Sequence, residues 1–136
     1  MPDIRIILVD DHKIVRESLS LLLKQTPGFS LISECENGLE AIKKAQELLP
    51  DIMLIDINMP AINGFETTRT ITEKTPSVKI IGISINNRPH FVTKMLDSGA
   101  KGYIMKGSPL QEIVKAIKEV YEGRQYICKE IQRQLH

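Results

Sequence analysis

Several residue types and sequence features are scarce or missing in this chain of 136 residues. It contains no tryptophan, and aromatic residues make up only 4% of it. Its two cysteines, Cys35 and Cys128, lie far apart, and neither belongs to a Cys-x-x-Cys pair. This spacing predicts neither a disulfide framework nor a four-ligand zinc site, and it is typical of a protein in a reducing compartment.

Long apolar runs and an excess of charge of one sign are also missing. No apolar stretch approaches the roughly 18 residues of a membrane span, and residues 1–5 lack the pattern of a signal peptide. We therefore expect a cytoplasmic protein without a membrane partner. The 18 Lys and Arg residues balance the 17 Asp and Glu residues, which leaves a formal net charge of +1. This balance argues against nucleic-acid binding by counterion release.

Short apolar stretches rich in β-branched residues alternate with helical patterns along the chain. Five stretches predict strands, at residues 4–9, 31–35, 52–57, 78–85 and 103–105. Apolar residues three and four positions apart predict five helices between and after them, the fifth with Ser108 as its N-cap and Pro109 in its first turn. We predict an α/β, flavodoxin-like, doubly wound fold with five parallel strands in the order 2-1-3-4-5 and five flanking helices.

The length and the 42% hydrophobic content suffice for one domain with its own core. We expect this domain to occupy residues 1–123, because Gly123 follows the fifth helical pattern as a helix C-terminus. The polar segment 124–136 has no place in five strand–helix units. We interpret it as the start of a linker.

Polar side chains stand at the carboxyl ends of the predicted strands, where a doubly wound sheet places its ligand crevice. They are Asp10, Asp11, Asp56, Ser84 and Lys106. Three carboxylates in one crevice repel each other, and a divalent cation that prefers oxygen ligands, Mg²⁺ or Mn²⁺, would relieve that repulsion. Lys106 and the Ser84 hydroxyl would then hold the oxygens of a phosphoryl group.

Each of these residues also has a simpler structural interpretation. Asp11 considered alone fits a helix N-cap, and Lys106 considered alone fits a solvated surface lysine. Asp56 is harder to explain structurally, because an apolar strand would leave its carboxylate without a partner. His12 and His90 show no metal-ligand spacing, and we interpret them as a loop residue and a helix-start residue.

Together these residues resemble the signatures of bacterial two-component response regulator receiver domains. The resemblance covers about residues 4–122. It rests on Asp10-Asp11, on Asp56-Ile57-Asn58-Met59-Pro60 followed by Gly64, on Ser84, and on Gly102-Tyr103-Ile104-Met105-Lys106. Val9-Asp10-Asp11-His12, Arg16-Glu17 and the segment from Gly123 to Ile127 are most similar to the NarL/LuxR-type transcriptional regulators.

The resemblance implies a signalling protein that catalyses only its own phosphorylation and dephosphorylation. Asp56 would accept a phosphoryl group from a sensor histidine kinase. The carboxylates of Asp11 and Asp56 and the carbonyl of Asn58 would be ligands of Mg²⁺ or Mn²⁺, and Asp10 would contribute to the same metal site mainly through a water bound to the ion. Lys106 and the Ser84 hydroxyl would contact the phosphoryl group, and Tyr103 would fill the space that Ser84 vacates. This movement would switch the surface formed by the fourth helix, the fifth strand and the fifth helix.

The resemblance further implies partners and an additional domain. Regulators of this type continue through a linker into a helix-turn-helix effector, so DNA would be bound only by that domain, which this chain lacks. Phosphorylation would control transcription through it and would promote a homodimer. Asn58 and Asn86, two positions after Asp56 and Ser84, would tune the phosphoryl lifetime by positioning a water, although turn chemistry explains both asparagines equally well.

Two other classes of protein share parts of this pattern. A haloacid-dehalogenase-type phosphatase also uses a strand-end aspartate and Mg²⁺, but position 58 here is Asn where that class needs an acid, and the chain has no cap insertion. A flavodoxin-like cofactor binder would need a phosphate-binding loop after the first strand, and the sequence shows none. The residues favour the receiver.

Overall fold

A six-stranded parallel β-sheet runs through the centre of the molecule. The computed structural model describes residues 2–59, 62–85 and 88–135. The strands are β1 (Ile4–Val9), β2 (Phe29–Cys35), β3 (Ile52–Asp56), β4 (Lys79–Ser84), β5 (Gly102–Met105) and β6 (Tyr126–Ile127). They lie in the order β2-β1-β3-β4-β5-β6, and every neighbouring pair is parallel. The predicted α/β class and the order of the first five strands are confirmed.

Helices flank the sheet and connect its strands. They are α1 (Lys13–Lys24), α2 (Gly38–Leu48), α3 (Gly64–Lys74), α4 (Pro89–Asp97), α5 (Leu110–Tyr121) and α6 (Lys129–Leu135). Neighbouring helices α2, α3 and α4 contact one another in a row. Within the described ranges, no helix has both the length and the apolar character needed to cross a bilayer.

The centre of the sheet is almost completely removed from water. Every residue of β3 is buried, and so is nearly every residue of β1 and β4. This explains why these strands appear in the sequence as continuous apolar runs rather than as alternating patterns. The burial extends to Asp56, the last residue of β3, which is 0% exposed.

The prediction for α5 is wrong at the start of the helix and right at its end. The helix begins at Leu110 with Pro109 in the N-cap position, so the prediction of Ser108 as the N-cap is wrong by one residue. The amide of Ser108 instead donates to the Met105 carbonyl at 3.0 Å and closes the turn after β5. At the other end Gly123, with φ of 93°, follows the helix in the left-handed conformation that the prediction required.

The segment after Gly123 corrects the predictions of five strands and of five flanking helices, because it adds β6 and α6. The amide of Tyr126 donates to the Lys101 carbonyl at 3.1 Å, and that of Cys128 donates to the Tyr103 carbonyl at 3.0 Å. These bonds add β6 to the edge of the sheet beside β5. In the short helix α6 that follows, Ile131 is fully buried in the core. A two-residue strand is too short to show a hydrophobic period, which is why the sequence pattern does not reveal it.

The burial of Ile131 predicts that α6 contributes to the stability of the domain. Ile131→Ala is expected to lower the free energy of unfolding by about 2–4 kcal/mol, because it removes buried methyl groups and leaves a cavity. Arg133→Ala is the matched control, since Arg133 lies on the same helix and is exposed. Urea denaturation of both variants measures the effect. Equal stability of the two variants would show that α6 does not pack on the domain in solution.

Candidate functional site

The carboxyl ends of the parallel strands bring acidic and basic side chains together. Asp10 follows β1 and Asp56 ends β3, and both are 0% exposed. Lys106 follows β5 and reaches across, so that its Nζ lies 3.2 Å from Asp10 Oδ2 and 3.2 Å from Asp56 Oδ2. The structure thus places Asp10, Asp56 and Lys106 in contact, as the strand-end argument predicts.

The carboxylate of Asp56 is held at both oxygens. The backbone N–H of Asn58 donates to Oδ1 at 3.0 Å, and Lys106 Nζ donates to Oδ2 at 3.2 Å. Burial raises the pKa of Asp56, and the nearby charge of Asp10 raises it further, whereas the Asn58 amide and Lys106 partly oppose the rise. The ionised carboxylate is therefore in an unfavourable position that an additional cation would improve.

Two oxygens beside Asp56 lack hydrogen-bond partners among the described residues. They are Asp10 Oδ2 and Asp11 Oδ1, both buried. Lys106 Nζ lies close to Asp10 Oδ2, but it makes an ion pair there without hydrogen-bond geometry. Buried carboxylate oxygens are normally hydrogen-bonded, so these two atoms have acceptor capacity that a further ligand could use.

The charge of the cluster fits a divalent cation. Three carboxylates and one ammonium leave two negative charges in a mostly buried space when His12 is neutral. Oxygens of Asp10, Asp11 and Asp56 all lie within 4.8 Å of one another, together with a nitrogen of His12. Carboxylate oxygens are the ligands that Mg²⁺ prefers in proteins. The side chains present here therefore fit a cation of this kind.

His12 belongs to this cluster, although the sequence prediction assigns it no role there. Its ring Nδ1 lies 3.3 Å from Asp10 Oδ1 and 3.3 Å from Asp11 Oδ1. The interpretation of His12 as a loop residue fits its backbone, which caps α1 without a side-chain hydrogen bond to that helix. It overlooks the side chain. The available signal is the position of His12 directly after the acidic pair, where its N–H donates to Asp10 Oδ1 at 2.8 Å.

The hydroxyl of Ser84 lies at the end of β4 and connects Asn58 to Tyr103. Asn58 Nδ2 donates to Ser84 Oγ at 3.3 Å, and a hydrogen bond with Ser84 partly offsets the rise in the pKa of Tyr103 that burial causes. Tyr103 is 0% exposed. Its ring thus already occupies the interior beside Ser84. Asn86 and Pro60, also named from the sequence, lie outside the described residues.

An arginine on α1 supports the acidic loop from behind. Arg16 Nη1 donates to the Asp10 carbonyl at 2.8 Å, and its Nε lies 3.7 Å from Glu34 Oε1. Glu34 in turn accepts a hydrogen bond from the Ser20 hydroxyl at 3.0 Å. These contacts fix the peptide from which the Asp10 side chain extends. The sequence shows Arg16 only as a subfamily feature, because its target is a backbone oxygen.

A glycine allows the start of α3 to approach Asp56. A Cβ atom at Gly64 would lie 2.4 Å from Ile57 Cα and 2.7 Å from the Asp56 carbonyl oxygen. Both neighbours are backbone atoms, so any larger residue would push α3 away from the end of β3. The Gly64 of the sequence motif is therefore required by close backbone packing beside the site.

Replacing Asp56 with Asn is expected to stabilise the metal-free protein at neutral pH. Because the folded-state pKa of Asp56 is raised above its ordinary value of 3.8, the penalty for its ionised form is absent below that value and grows as the pH rises through the raised pKa. Asp56→Asn keeps the volume and removes the charge. In chelator, its Tm should exceed that of the wild type at neutral pH and equal it below about pH 4.

The exposed Asp97 at the end of α4 provides the control for this measurement. Asp97→Asn is expected to show no comparable change with pH, because Asp97 lies outside the buried cluster. A Tm of Asp56→Asn below that of the wild type at neutral pH in chelator would contradict the electrostatic description of the site.

Comparison with known proteins places this arrangement in a family. Residues 6–118 match the response regulator receiver domain. The chain is 39% identical over 132 residues to the response regulator GacA of Pseudomonas viridiflava, covering 97% of this chain and 62% of that protein. It is 35% identical over 132 residues to the transcriptional regulatory protein DegU of Brevibacillus brevis, covering 97% and 56%. The chain thus spans about three fifths of the length of these curated relatives.

A solved structure shows the same fold. The crystal structure of a LuxR-family two-component response regulator from Aurantimonas sp. SI85-9A1 superposes with a TM-score of 0.94 at 33% identity. The superposition covers 98% of this chain and 95% of that one. These matches favour a receiver over the phosphatase and the cofactor binder that share parts of the sequence pattern. The chain belongs to the response regulator receiver domain family of two-component signalling and is similar to regulators of the NarL/LuxR type.

Proposed function

We propose that Asp56 accepts a phosphoryl group and that the surrounding cluster assists this transfer. The observation that carries the proposal is the buried Asp56 carboxylate, which lies against Lys106 and beside two acidic residues with unpaired oxygens. A purely structural buried carboxylate would be expected to have its negative charge balanced by its neighbours. The Asp56 carboxylate has one neighbouring cation, Lys106, and this single positive charge does not balance the carboxylates around it.

In the proposed reaction, an oxygen of Asp56 attacks the phosphorus of a phosphohistidine on a sensor histidine kinase. A new P–O bond forms to Asp56 as the P–N bond to the histidine breaks. The backbone N–H of Asn58 fixes Oδ1 of the Asp56 carboxylate and thereby orients the other oxygen. Lys106 is already within 3.2 Å of Asp56 Oδ2, so it can transfer its contact to a phosphoryl oxygen without a large movement.

The carboxylates of Asp10, Asp11 and Asp56 would hold Mg²⁺ or Mn²⁺, with the backbone carbonyl of Asn58 as a further ligand. When bound, the ion supplies positive charge that balances the carboxylates and the phosphoryl oxygens. We propose no catalysis beyond the phosphorylation and dephosphorylation of this chain itself. Asp10 and Asp11 contribute negative charge that binds the cation beside Asp56. Arg16 contributes by holding the backbone carbonyl of Asp10 in place.

Ser84 provides the proposed connection from the site to the surface. Its hydroxyl now contacts Asn58 and Tyr103. A phosphoryl group on Asp56 brings strong hydrogen-bond acceptors that compete for this hydroxyl, which would change the contact between Ser84 and Tyr103. Because Tyr103 lies in β5, the change would reach the surface formed by α4, β5 and α5. That surface is the proposed output of the switch.

We propose that the full regulator uses this switch to control transcription. Residues 124–136 would lead to a helix-turn-helix domain that binds DNA, and phosphorylation would promote a homodimer. The regulatory role in the name of DegU and the greater length of the relatives support this proposal. The tuning of phosphoryl lifetime by Asn58 and Asn86 stays a prediction. The side-chain amide of Asn58 already donates a hydrogen bond to the Ser84 hydroxyl.

Incubation with acetyl phosphate and Mg²⁺ tests the assignment of Asp56. Intact mass spectrometry should show one added phosphate on the wild type and none on Asp56→Asn, because the amide cannot act as the nucleophile. Asp97→Asn, which changes an exposed carboxylate away from the site, should be phosphorylated like the wild type. A Mg²⁺-dependent phosphate on Asp56→Asn would assign the reaction to another residue.

Thermal unfolding with and without Mg²⁺ tests the role of Asp11. A ligand that binds only the folded state stabilises it by about 2.7 kcal/mol at a concentration of roughly 100 times its Kd. Asp11→Ala should lose most of the Mg²⁺-dependent rise in Tm, whereas Lys106→Ala should keep it and lose phosphorylation rate. A full Mg²⁺ effect in Asp11→Ala would show that Asp11 serves only as a turn residue.

A further inference from the structure

The ring of His12 adds a nitrogen to the oxygens of the acidic cluster. We propose that His12 Nδ1 is an additional protein ligand of the bound ion, beside the three carboxylates and the Asn58 carbonyl, and that it makes the site favour imidazole-binding divalent transition ions over Mg²⁺. The inference rests on the proposed function, because it concerns the same site. It adds a ligand and an ion preference that the three carboxylates do not provide.

The distances match those between neighbouring ligands of one ion. Adjacent ligands of an octahedral ion with bonds of about 2.1 Å lie about 3.0 Å apart. His12 Nδ1 lies 3.3 Å from Asp10 Oδ1, 3.3 Å from Asp11 Oδ1 and 3.8 Å from Asp56 Oδ2. Side-chain rotations that shorten these distances, with movement of the Lys106 ammonium away from the same atoms, would place an ion against all four residues.

Unpaired oxygens provide a separate indication that a ligand is accommodated here. Asp10 is 0% exposed, and its Oδ2 has no hydrogen-bond partner in the part of the chain that the structure describes. Asp11 Oδ1 also has no hydrogen-bond partner among the described residues, and the Asp11 side chain is 25% exposed. The other oxygen of Asp10, Oδ1, accepts a hydrogen bond from the backbone N–H of His12 at 2.8 Å. An ion that His12 helps to bind would complete the unpaired oxygens.

The backbone of His12 is fixed where its ring faces the site. Its N–H donates to Asp10 Oδ1 at 2.8 Å, and its carbonyl accepts the Arg16 amide at 2.9 Å in the first turn of α1. Only the side-chain torsions remain free to adjust. The side chain is 59% exposed, so the ring can turn towards an ion while its outer edge stays in water.

The chemistry of the donors sets the preference. Imidazole nitrogen is a common ligand of Co²⁺ and heavier first-row ions, whereas Mg²⁺ is bound almost entirely by oxygen. Lys106 Nζ lies 3.4 Å from His12 Nδ1 and contacts the same carboxylates. A bond from His12 to the ion therefore helps the ion to compete with the Lys106 ammonium for the carboxylates of Asp10 and Asp56.

Pulsed electron paramagnetic resonance with Mn²⁺ as the probe tests whether the nitrogen binds. The wild type should show the electron spin-echo modulation of a directly coordinated imidazole nitrogen. His12→Asn should lose it, and His90→Asn should keep it, because His90 is exposed at the start of α4. Absence of the modulation in the wild type, or its persistence in His12→Asn, would overturn the inference.

Calorimetric titration with Co²⁺ and Mg²⁺ tests the preference. His12→Asn should weaken Co²⁺ binding by about tenfold or more, comparable to the loss of other groups that support a bound metal, and should change Mg²⁺ binding far less. Equal weakening for both ions, or unchanged Co²⁺ binding, would overturn the preference. Mg²⁺-dependent phosphorylation of the wild type, tested separately on Asp56, would keep the proposed function intact in that case.

Discussion

Repulsion among Asp10, Asp11 and Asp56 is the interaction on which the site depends. A parallel sheet gathers the carboxyl ends of its strands at one edge, and in this chain the central strands end in acids. Lys106 compensates only part of the charge, and the buried position of Asp56 raises its pKa. The folded protein therefore holds an excess of negative charge that a divalent cation can balance.

The rest of the fold keeps these carboxylates close together. Complete burial of β3 fixes the strand that carries Asp56, and the small size of Gly64 lets α3 pack directly beneath it. Arg16 holds the Asp10 carbonyl from the side of α1. Without these supports the carboxylates would separate into water, where their repulsion is weak and no cation is required.

A continuous set of contacts leads from the site to the C-terminal segment. Ser84 contacts Tyr103, and the Tyr103 carbonyl accepts the amide of Cys128, immediately before α6. Because Ile131 of α6 is packed into the core, the end of this chain is attached to the strand that carries Tyr103. A change at Ser84 therefore has a physical connection to the segment that would lead into an effector domain.

Much of this could be predicted from periodicity and strand-end residues. Most of the five longer strands show clear apolar runs, and their parallel order predicts that Asp10, Asp56 and Lys106 converge. The two-residue strand β6 has no period to detect, and the N-cap of α5 depends on a backbone bond at Ser108. The position of the His12 ring depends on the turn after Asp10, which a residue pattern does not specify. Individual roles at the site came from the family resemblance, since convergence alone does not distinguish a nucleophile from a ligand.

The most direct test of the central claim is to locate the phosphoryl group chemically. An acyl phosphate reacts with hydroxylamine to leave a hydroxamate on the residue that carried it. After treatment with acetyl phosphate and Mg²⁺, then hydroxylamine and protease digestion, tandem mass spectrometry should find the hydroxamate on Asp56. A hydroxamate on Asp10, Asp11 or any other residue, or none on a protein that has gained phosphate, would contradict the account.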